Sequence, residues 1–414
     1  MKTSFFHLMP YQDLPPDFEH QYHSAWVDAP NELLDPEKCQ QYYDDYLEEI
    51  QYADAVGFDG VCVNEHHNNA YGLMPSPNLV ASILARTTSR AALIVLGNSL
   101  ALYQPPLRVA EEMSMLDIMS GGRLVAGFPV GTSMDTTLSY GQVPVTLREK
   151  HSEAHDLIMK AWTHHDGPFN FEGRWFHARQ VNIWPRPYQQ PHPPVWVTMG
   201  SAGSAAQVAQ RKHIGAVFLA GYPGIRRLFD GYREGFLQAH GEEAPLDRLA
   251  YAAIVCVGEN EKEAENGTEK LLWYIRSNKV APQFNNPPGY HPPAVSANII
   301  RGPRPGEPDR RDPRLETQKA RGNVFSGTPD QVFQQIKNFW EYSGGFGHLL
   351  MMGQAGFMTY DETLKSMKLF TEEVYPRLKE LTASYDAGVM KEIRSSRPDV
   401  ESVDTGLLAS EFVR

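Results

Sequence analysis

A chain of 414 residues is long enough for one large α/β barrel or for two medium domains. Hydrophobic residues make up 42% of it and aromatic residues 11%, a composition that supports a sizeable core and excludes a disordered chain. Acidic residues outnumber basic ones, 50 to 38, and the formal net charge of -12 disfavours nucleic acid or an anionic membrane as the main partner.

Eight short apolar runs alternate with longer amphipathic stretches along the chain. Most of the runs are continuously apolar, which is typical of strands that are covered on both faces. They span residues 4–9, 60–64, 93–98, 123–128, 194–199, 215–219, 251–257 and 348–352. Strands that alternate with helices in this way predict a parallel sheet closed as a (β/α)₈ TIM barrel. An open doubly wound sheet is the alternative, although no GxGxxG motif follows the first run.

Helix boundaries are marked by their own residue types. Ser76, followed by proline, predicts a helix start, and the stretch 42–56 predicts a helix that ends at Gly57. Capping-box spacings that begin at Ser204 and Thr328 predict two further helix starts.

Residues 275–321 break this alternation, because prolines are too frequent there for a helix or a central strand. A segment of this length is usually a lid, a binding loop or disordered. Its Phe284, Tyr290 and Ile299 favour packing, so we predict an ordered insertion near a barrel mouth. The expected organisation is one barrel domain, 1–384, that contains this insertion, followed by a charged tail, 385–414.

The three cysteines, Cys39, Cys62 and Cys256, lie far apart and contain no CxxC pair, so they predict neither a disulfide framework nor a zinc finger. The amino-terminal apolar run is broken by His7 and does not resemble a signal peptide. No run reaches the ~18 apolar residues of a membrane span. We therefore expect a soluble protein of the cytoplasm.

Glu65-His66-His67 follows the second apolar run, at the strand end where parallel barrels carry functional residues. Neighbours on a strand point to opposite sides, so His66 and His67 would not readily share one metal ion, although a turn at Glu65 could bring them together. A catalytic or ligand-binding histidine is the favoured interpretation, ahead of a polar structural loop and of a metal site. The pair His151 and His155 has helical spacing, but the acid does not stand where HExxH requires it, which favours a structural role.

The stretch MGSAGSAAQ, 199–207, ends a predicted strand, turns through glycines and opens a helix at Ser204. Free backbone N–H groups at the positive end of a helix make an anion site, and late loops of TIM barrels often hold a phosphate. Many glycine turns only cap a helix, so both interpretations stay open at this point.

Several stretches taken together resemble the bacterial luciferase-like monooxygenases, which are flavin-dependent (β/α)₈ barrels. They are GFDGVCVNEHH at 57–67, PSPNLVASILA at 75–85, the stretches 105–131 and 148–162, VWVTMGSAGS at 195–204 and SGTPDQV at 326–332. The resemblance covers roughly residues 1–270 and the late helix start. The insertion has no counterpart in it.

The resemblance implies FMN as the cofactor, delivered reduced by a separate flavin reductase. With O₂ it would form a C4a-peroxyflavin that oxygenates a small organic substrate such as an aldehyde, a ketone or a terpene. His66 would lie beside flavin and substrate and assist proton transfer, for which the pKa of a histidine is suited. Glu65 would be its structural partner in the catalytic group, and His67 a neighbour.

The resemblance also implies a cofactor site and an assembly. Asn98 would approach the isoalloxazine, Val130 and Gly131 would line it, and His7 is a weaker pocket candidate. The FMN phosphate would be held by the glycine–serine turn, through Gly200, Ser201, Gly203 and Ser204. The chain would form a homodimer through the helices that flank the early strands, or a higher homo-oligomer. No metal is expected.

Three alternatives stay open. A deazaflavin-dependent oxidoreductase on the same barrel would transfer hydride and need no O₂. A metal-dependent hydrolase would use both histidine pairs. A flavin-binding protein without turnover is the third, and the intact Glu65-His66-His67 triplet favours the FMN enzyme over it.

Overall fold

The computed structural model describes residues 1–277, 284, 286–301 and 312–385. The strands are β1 (Lys2–His7), β2 (Gly60–Val63), β3 (Ala92–Leu96), β4 (Leu124–Gly127), β5 (Phe169–Glu172), β6 (His177–Val181), β7 (Val195–Thr198), β8 (Ile214–Phe218), β9 (Leu249–Val257), β10 (Val324–Gly327) and β11 (His348–Gln354). The helices are α1 (Phe18–Gln21), α2 (Pro36–Val56), α3 (Pro77–Thr87), α4 (Leu107–Met119), α5 (Leu147–Thr163), α6 (Ala202–Gln210), α7 (Gly221–His240), α8 (Glu261–Leu271), α9 (Trp273–Arg276), α10 (Pro293–Arg301), α11 (Leu315–Arg321), α12 (Pro329–Ser343), α13 (Tyr360–Leu369) and α14 (Tyr375–Ser384).

Within the described residues, eight parallel strands close into a barrel in the order β1-β2-β3-β4-β7-β8-β9-β11, and β11 pairs back onto β1. Strand β10 pairs with the carboxyl-terminal part of β9, and β5 and β6 form a separate antiparallel hairpin. All eight predicted apolar runs supply the barrel strands, so the (β/α)₈ barrel is confirmed. The hairpin and β10 are missing from the prediction.

Each strand contributes to two apolar layers, which explains why the runs do not alternate with polar residues. In β3, Ile94 and Leu96 belong to a cluster inside the barrel, whereas Leu93 and Val95 pack in the layer that contains the helices. A strand covered on both faces therefore tends to be apolar along most of its length.

Two predicted helix starts are confirmed and one is corrected. Helix α3 follows Ser76, and the side chain of Thr328 caps α12 in a capping box. Helix α6 begins at Ala202 and not at Ser204, because Ser201 is the capping residue. The Ser201 Oγ accepts the backbone N–H of Ser204, and the Ser204 hydroxyl oxygen accepts the N–H of Ser201.

Part of the predicted insertion lies in the described range. Tyr290 is buried against Ala101 and Leu147, and helix α10 follows it. Residues 278–283, 285 and 302–311, and residues 386–414 of the predicted tail, lie outside the described residues, so the division into barrel, insertion and tail stays a prediction. No helix in the described part of the chain is long and apolar enough to cross a membrane.

Candidate active site

The carboxyl ends of β2, β3 and β4 bring together residues that are far apart in the chain. The Glu65 carboxylate follows β2 and accepts the backbone N–H of Ser99, beyond β3, at 2.7 Å. His66 reaches Asp135, beyond β4. The predicted triplet thus lies at the functional face of the barrel, where three neighbouring strands end.

Glu65 is a buried anchor. Besides Ser99, it accepts the Tyr103 hydroxyl at 2.6 Å through Oε1, and His67 Nε2 lies 3.2 Å from the same oxygen. Burial and the charge of Glu65 raise the pKa of Tyr103 well above its usual value, so Tyr103 keeps its proton. The position of Glu65 makes it a residue that holds the β2 and β3 ends together.

His66 is hydrogen-bonded to Asp135, with Nδ1 2.9 Å from the Asp135 Oδ2. A carboxylate can only accept, so Nδ1 of His66 carries a proton and Nε2 is left to take up or release one. The rings of Trp26 and Tyr71 each lie 5.0 Å from the His66 ring. The His66 side chain is 13% exposed, against 5% for His67, so His66 is the more accessible histidine of the pair.

Asp135 is a further residue of the candidate site, which the sequence patterns did not predict. Burial alone raises its pKa, but the hydrogen bond and charge of His66, the Thr132 hydroxyl and the His67 N–H together lower the pKa below its usual value. It lies 69 positions from His66 in a π-helical turn, Ser133–Leu138. The signal available in the sequence was an acid shortly beyond the fourth strand run, at the functional rim.

His67 has a different set of partners. Its Nδ1 lies 3.0 Å from the Tyr140 hydroxyl, and its backbone N–H donates to Asp135 Oδ2 at 3.3 Å. The two imidazole rings therefore contact different side chains, although both residues are bonded to Asp135, His66 through its ring and His67 through its backbone. In the described residues, no group of three or more His, Cys, Asp or Glu side chains could hold a metal ion.

The residues predicted to contact the flavin ring are Asn98, Val130 and Gly131, which we call the flavin wall. Asn98 is fully buried and its Nδ2 donates to Tyr103, while its Oδ1 has no partner among the described residues. Gly131 has φ of +95°, and a Cβ there would lie 2.5 Å from Thr136 Oγ1. Val130 packs on the cluster that contains Tyr290, whose hydroxyl donates to the Gly131 carbonyl.

The glycine–serine turn lies at the end of β7, at the same face of the barrel. Within the described residues, the amides of Ala202 and Gly203, at the first positions of α6, have no hydrogen-bond partner. A Cβ at Gly200 or Gly203 would meet no atom within 4 Å, so the turn is open. The capping box between Ser201 and Ser204 fixes the conformation of the turn, and it leaves the Ala202 and Gly203 N–H groups available to an anion.

His7 does not line the site, which corrects its prediction as a pocket residue. It is fully buried, Nδ1 accepts the Met9 N–H at 2.9 Å, and Nε2 lies 2.8 Å from Glu49. Burial lowers its pKa to about 3, so the ring is neutral. As the last residue of β1 it faces helix α2 instead of the barrel interior.

The second histidine pair is structural. His151 Nε2 donates to the Phe128 carbonyl, and burial lowers the His151 pKa to about 4. His155 Nε2 lies 2.9 Å from Nε2 of His213 instead. The two imidazoles of the pair have separate partners.

These features fit a flavin. An open helix start suits a phosphate, and the buried Asn98 oxygen is an acceptor without a partner. The glycine at 131 allows a close approach of the chain, and its neighbour Thr132 is bonded to Asp135, the partner of His66.

Comparisons of the sequence with known proteins show the family of this chain. The sequence model described as luciferase-like monooxygenase matches residues 23–345. An uncharacterized protein of Sinorhizobium fredii is 33% identical over 224 residues, and the alignment covers 54% of this chain and 64% of that protein, just under two thirds of its length. Limonene 1,2-monooxygenase of Rhodococcus erythropolis is 24% identical over 336 residues, 80% of each chain.

Two solved structures share the fold. The oxygenating constituent of 3,6-diketocamphane monooxygenase from Pseudomonas putida, solved with FMN, has a TM-score of 0.67 at 21% identity and covers 91% of this chain and 98% of that chain. An F420-dependent secondary alcohol dehydrogenase, solved with an F420–acetone adduct, has a TM-score of 0.64 at 17% identity, with 90% and 98% covered. At these identities the likeness shows the barrel alone and does not separate the two cofactors. With the family model matched over most of its length, the chain belongs to the luciferase-like monooxygenase family.

Proposed function

We propose that this protein is an FMN-dependent monooxygenase that uses reduced flavin and O₂ to oxygenate a small organic substrate, such as an aldehyde, a ketone or a terpene. The observation that carries the proposal is the His66–Asp135 pair, a proton-transfer device at the barrel rim. It lies on the same face as the open helix start at Ala202. When bound, reduced flavin supplies two electrons and activates O₂.

Different residues of the chain transfer the proton, position the histidine and bind the cofactor. His66 Nε2 gives or takes the proton at the reacting atoms, and Asp135 keeps its tautomer and orientation. Glu65 and His67 act by position, since they fix the strand ends on which His66 is mounted. The cofactor is held by two groups: Asn98, Val130 and Gly131 beside the ring, and Gly200, Ser201, Gly203 and Ser204 around the phosphate.

Hydride transfer with a deazaflavin is the second candidate, because the F420-dependent dehydrogenase has the same barrel. A histidine with a free Nε2 would serve that reaction too. Titration with FMN and with F420, each oxidised and reduced and followed by absorbance, separates the two. FMN binding supports the monooxygenase, F420 binding alone supports the rival, and binding of neither removes both.

A flavin reductase is the proposed transient partner. The diketocamphane enzyme is described as an oxygenating constituent, which supports a division of labour between an oxygenase and a source of reduced flavin. Turnover that depends on an added reductase and NAD(P)H, and that chemically reduced FMN restores, tests this proposal.

Helices α3 and α4 present an apolar surface that suits the proposed homodimer. They pack side by side, and their outer faces expose Leu79 (69%), Ile83, Met115 and Ile118 (43%). The double substitution Leu79→Asp and Ile118→Asp should place charges in the contact and dissociate the dimer, as measured by sedimentation. Leu237→Asp, a half-exposed leucine on α7, is the matched control and should leave the mass unchanged. A wild-type monomer at all concentrations would remove the proposal.

The insertion should become protected when FMN binds, because Tyr290 is bonded to Gly131 of the proposed flavin wall. At an FMN concentration of 100 times Kd, a protease should cut within 275–321 up to about 100-fold more slowly, because such cleavage requires the site to open. Tyr290→Phe, which lacks this hydroxyl, should show less protection. Cleavage at an unchanged rate with saturating FMN would contradict the expectation.

A further inference from the structure

Two stretches of the chain near the barrel mouth, 136–147 and 286–300, contain no Asp, Glu, Lys or Arg. Charged residues make up 21% of the whole chain, so two stretches of this length would carry about six of them at the average. The histidine among them, His291, stays neutral because burial lowers its pKa. We call the two stretches together the uncharged rim.

The uncharged rim lies beside the candidate site, and its two stretches contact each other. The Tyr140 hydroxyl lies 3.0 Å from Nδ1 of His67. A Cβ at Gly289 would lie 2.8 Å from the Cβ of Val145, which brings the second stretch against the first. Tyr290, the next residue, donates its hydroxyl to a carbonyl of the flavin wall.

The exposed side chains of the uncharged rim are mostly aliphatic. Val145 is 69% exposed, Val143 57%, Tyr140 46% and Leu138 39%, and Ile300 is exposed at the end of α10. An exposed apolar surface of this kind marks a contact with a protein or a membrane. Protein interfaces rely on Trp, Tyr and Arg and use Val and Leu little, whereas aliphatic side chains with a tyrosine suit the headgroup region of a bilayer.

Cationic side chains flank the uncharged rim. Exposed Arg148 follows the first stretch and exposed Arg301 follows the second. The Lys150 ammonium donates to Gln142 within the rim, at 2.8 Å. The neighbouring acid, Glu149, is paired with Arg174. Positive charges beside an apolar surface complement the phosphate groups of lipids.

We propose that the uncharged rim binds the surface of a phospholipid bilayer, with Val143 and Val145 among the headgroups and the flanking cations on lipid phosphates. No helix in the described part of the chain could cross a membrane, so this contact is peripheral. The net charge of -12 opposes an anionic surface. The apolar side chains therefore supply most of the affinity, and binding is weak and reversible.

Such binding turns the barrel mouth towards the bilayer, because Tyr140 of the uncharged rim contacts His67 of the candidate site. An apolar substrate such as a terpene dissolves in lipid and would reach the mouth from the membrane. This consequence rests on the proposed function, whereas the binding itself does not.

The test is co-sedimentation of the full chain with vesicles of phosphatidylcholine, alone and mixed with phosphatidylglycerol. The wild-type protein should bind both. Val143→Asp and Val145→Asp should each weaken binding about threefold to tenfold, because a partly buried valine is replaced by a charge. Arg148→Gln should weaken binding to the mixed vesicles about fivefold. Leu237→Asp is the matched control, since it makes the same change in charge at a half-exposed leucine of α7 and should leave binding unchanged.

A second measurement locates the contact without weakening it. Val145→Trp should add fluorescence that brominated phosphatidylcholine quenches, because the new indole would lie among the headgroups. Leu237→Trp, on α7, should add fluorescence that the same lipid leaves unquenched.

Each outcome decides the proposal. No binding of the wild-type protein to either vesicle overturns it, as does equal weakening in Val145→Asp and Leu237→Asp. If Val145→Asp lowers the mass in solution and leaves vesicle binding unchanged, a second copy covers the uncharged rim and the proposal is wrong. FMN titration without vesicles should be unchanged in Val145→Asp, so the membrane contact and the proposed flavin site fail separately.

Discussion

Replacing His66 with alanine is expected to lower the rate of oxygenation by about 10²- to 10⁴-fold, the range typical of a lost general acid or base. FMN affinity should change little, because the proposed phosphate turn and ring wall do not include the imidazole. The measurement is single-turnover product formation with reduced FMN, alongside flavin titration of the same variant. A matching loss of FMN binding would show that His66 holds the cofactor instead.

His67→Ala is the matched control for that experiment. The His67 ring contacts Tyr140 and Glu65 and is nearly fully buried, so its loss should affect stability more than turnover. If His67→Ala abolishes turnover and His66→Ala does not, the roles of the two histidines are reversed.

Asp135→Asn is expected to reduce turnover by about 10²-fold or more, because a neutral amide no longer fixes which nitrogen of His66 carries the proton. The folded protein keeps the pKa of Asp135 below its usual value, so the stabilisation by this carboxylate is complete above the unfolded pKa and is lost as the solution becomes more acidic. The difference in unfolding free energy between wild type and variant should therefore shrink below pH ~4.

Asp117→Asn controls for the loss of a buried acid. Asp117 is fully buried and accepts the N–H and the side-chain amide of Gln189, away from the candidate site. This variant should lose stability and keep its rate once folded. Equal rate losses in Asp117→Asn and Asp135→Asn would mean that Asp135 acts only through folding.

The barrel could be predicted because strands covered on both faces are largely apolar, and most of the eight barrel strands have that pattern. The β5–β6 hairpin lacks it, since its strand His177–Val181 is largely exposed and polar. Strand β10 is only four residues long, Val324–Gly327, and its partner β9 is distant in the chain. Local patterns cannot show such pairings.

The candidate site was predictable where a motif sits at a strand end, as Glu65, His66 and Asn98 do. Asp135 was not, because its importance depends on the adjacency of β2, β3 and β4 and on the turn that returns it to His66. The prediction that His7 lines the pocket was wrong for a related reason. It also ends a barrel strand, but it faces helix α2, and which face a strand-end residue takes is decided by packing.

The central claim is that the bound flavin delivers an oxygen atom from O₂, and isotope labelling tests it most directly. The protein, supplied with reduced FMN and a panel of aldehydes, ketones and terpenes under ¹⁸O₂, should form a product that carries one labelled oxygen, and His66→Ala should suppress it. Anaerobic substrate conversion with reduced F420, in place of labelled product with FMN, would contradict the claim and establish hydride transfer.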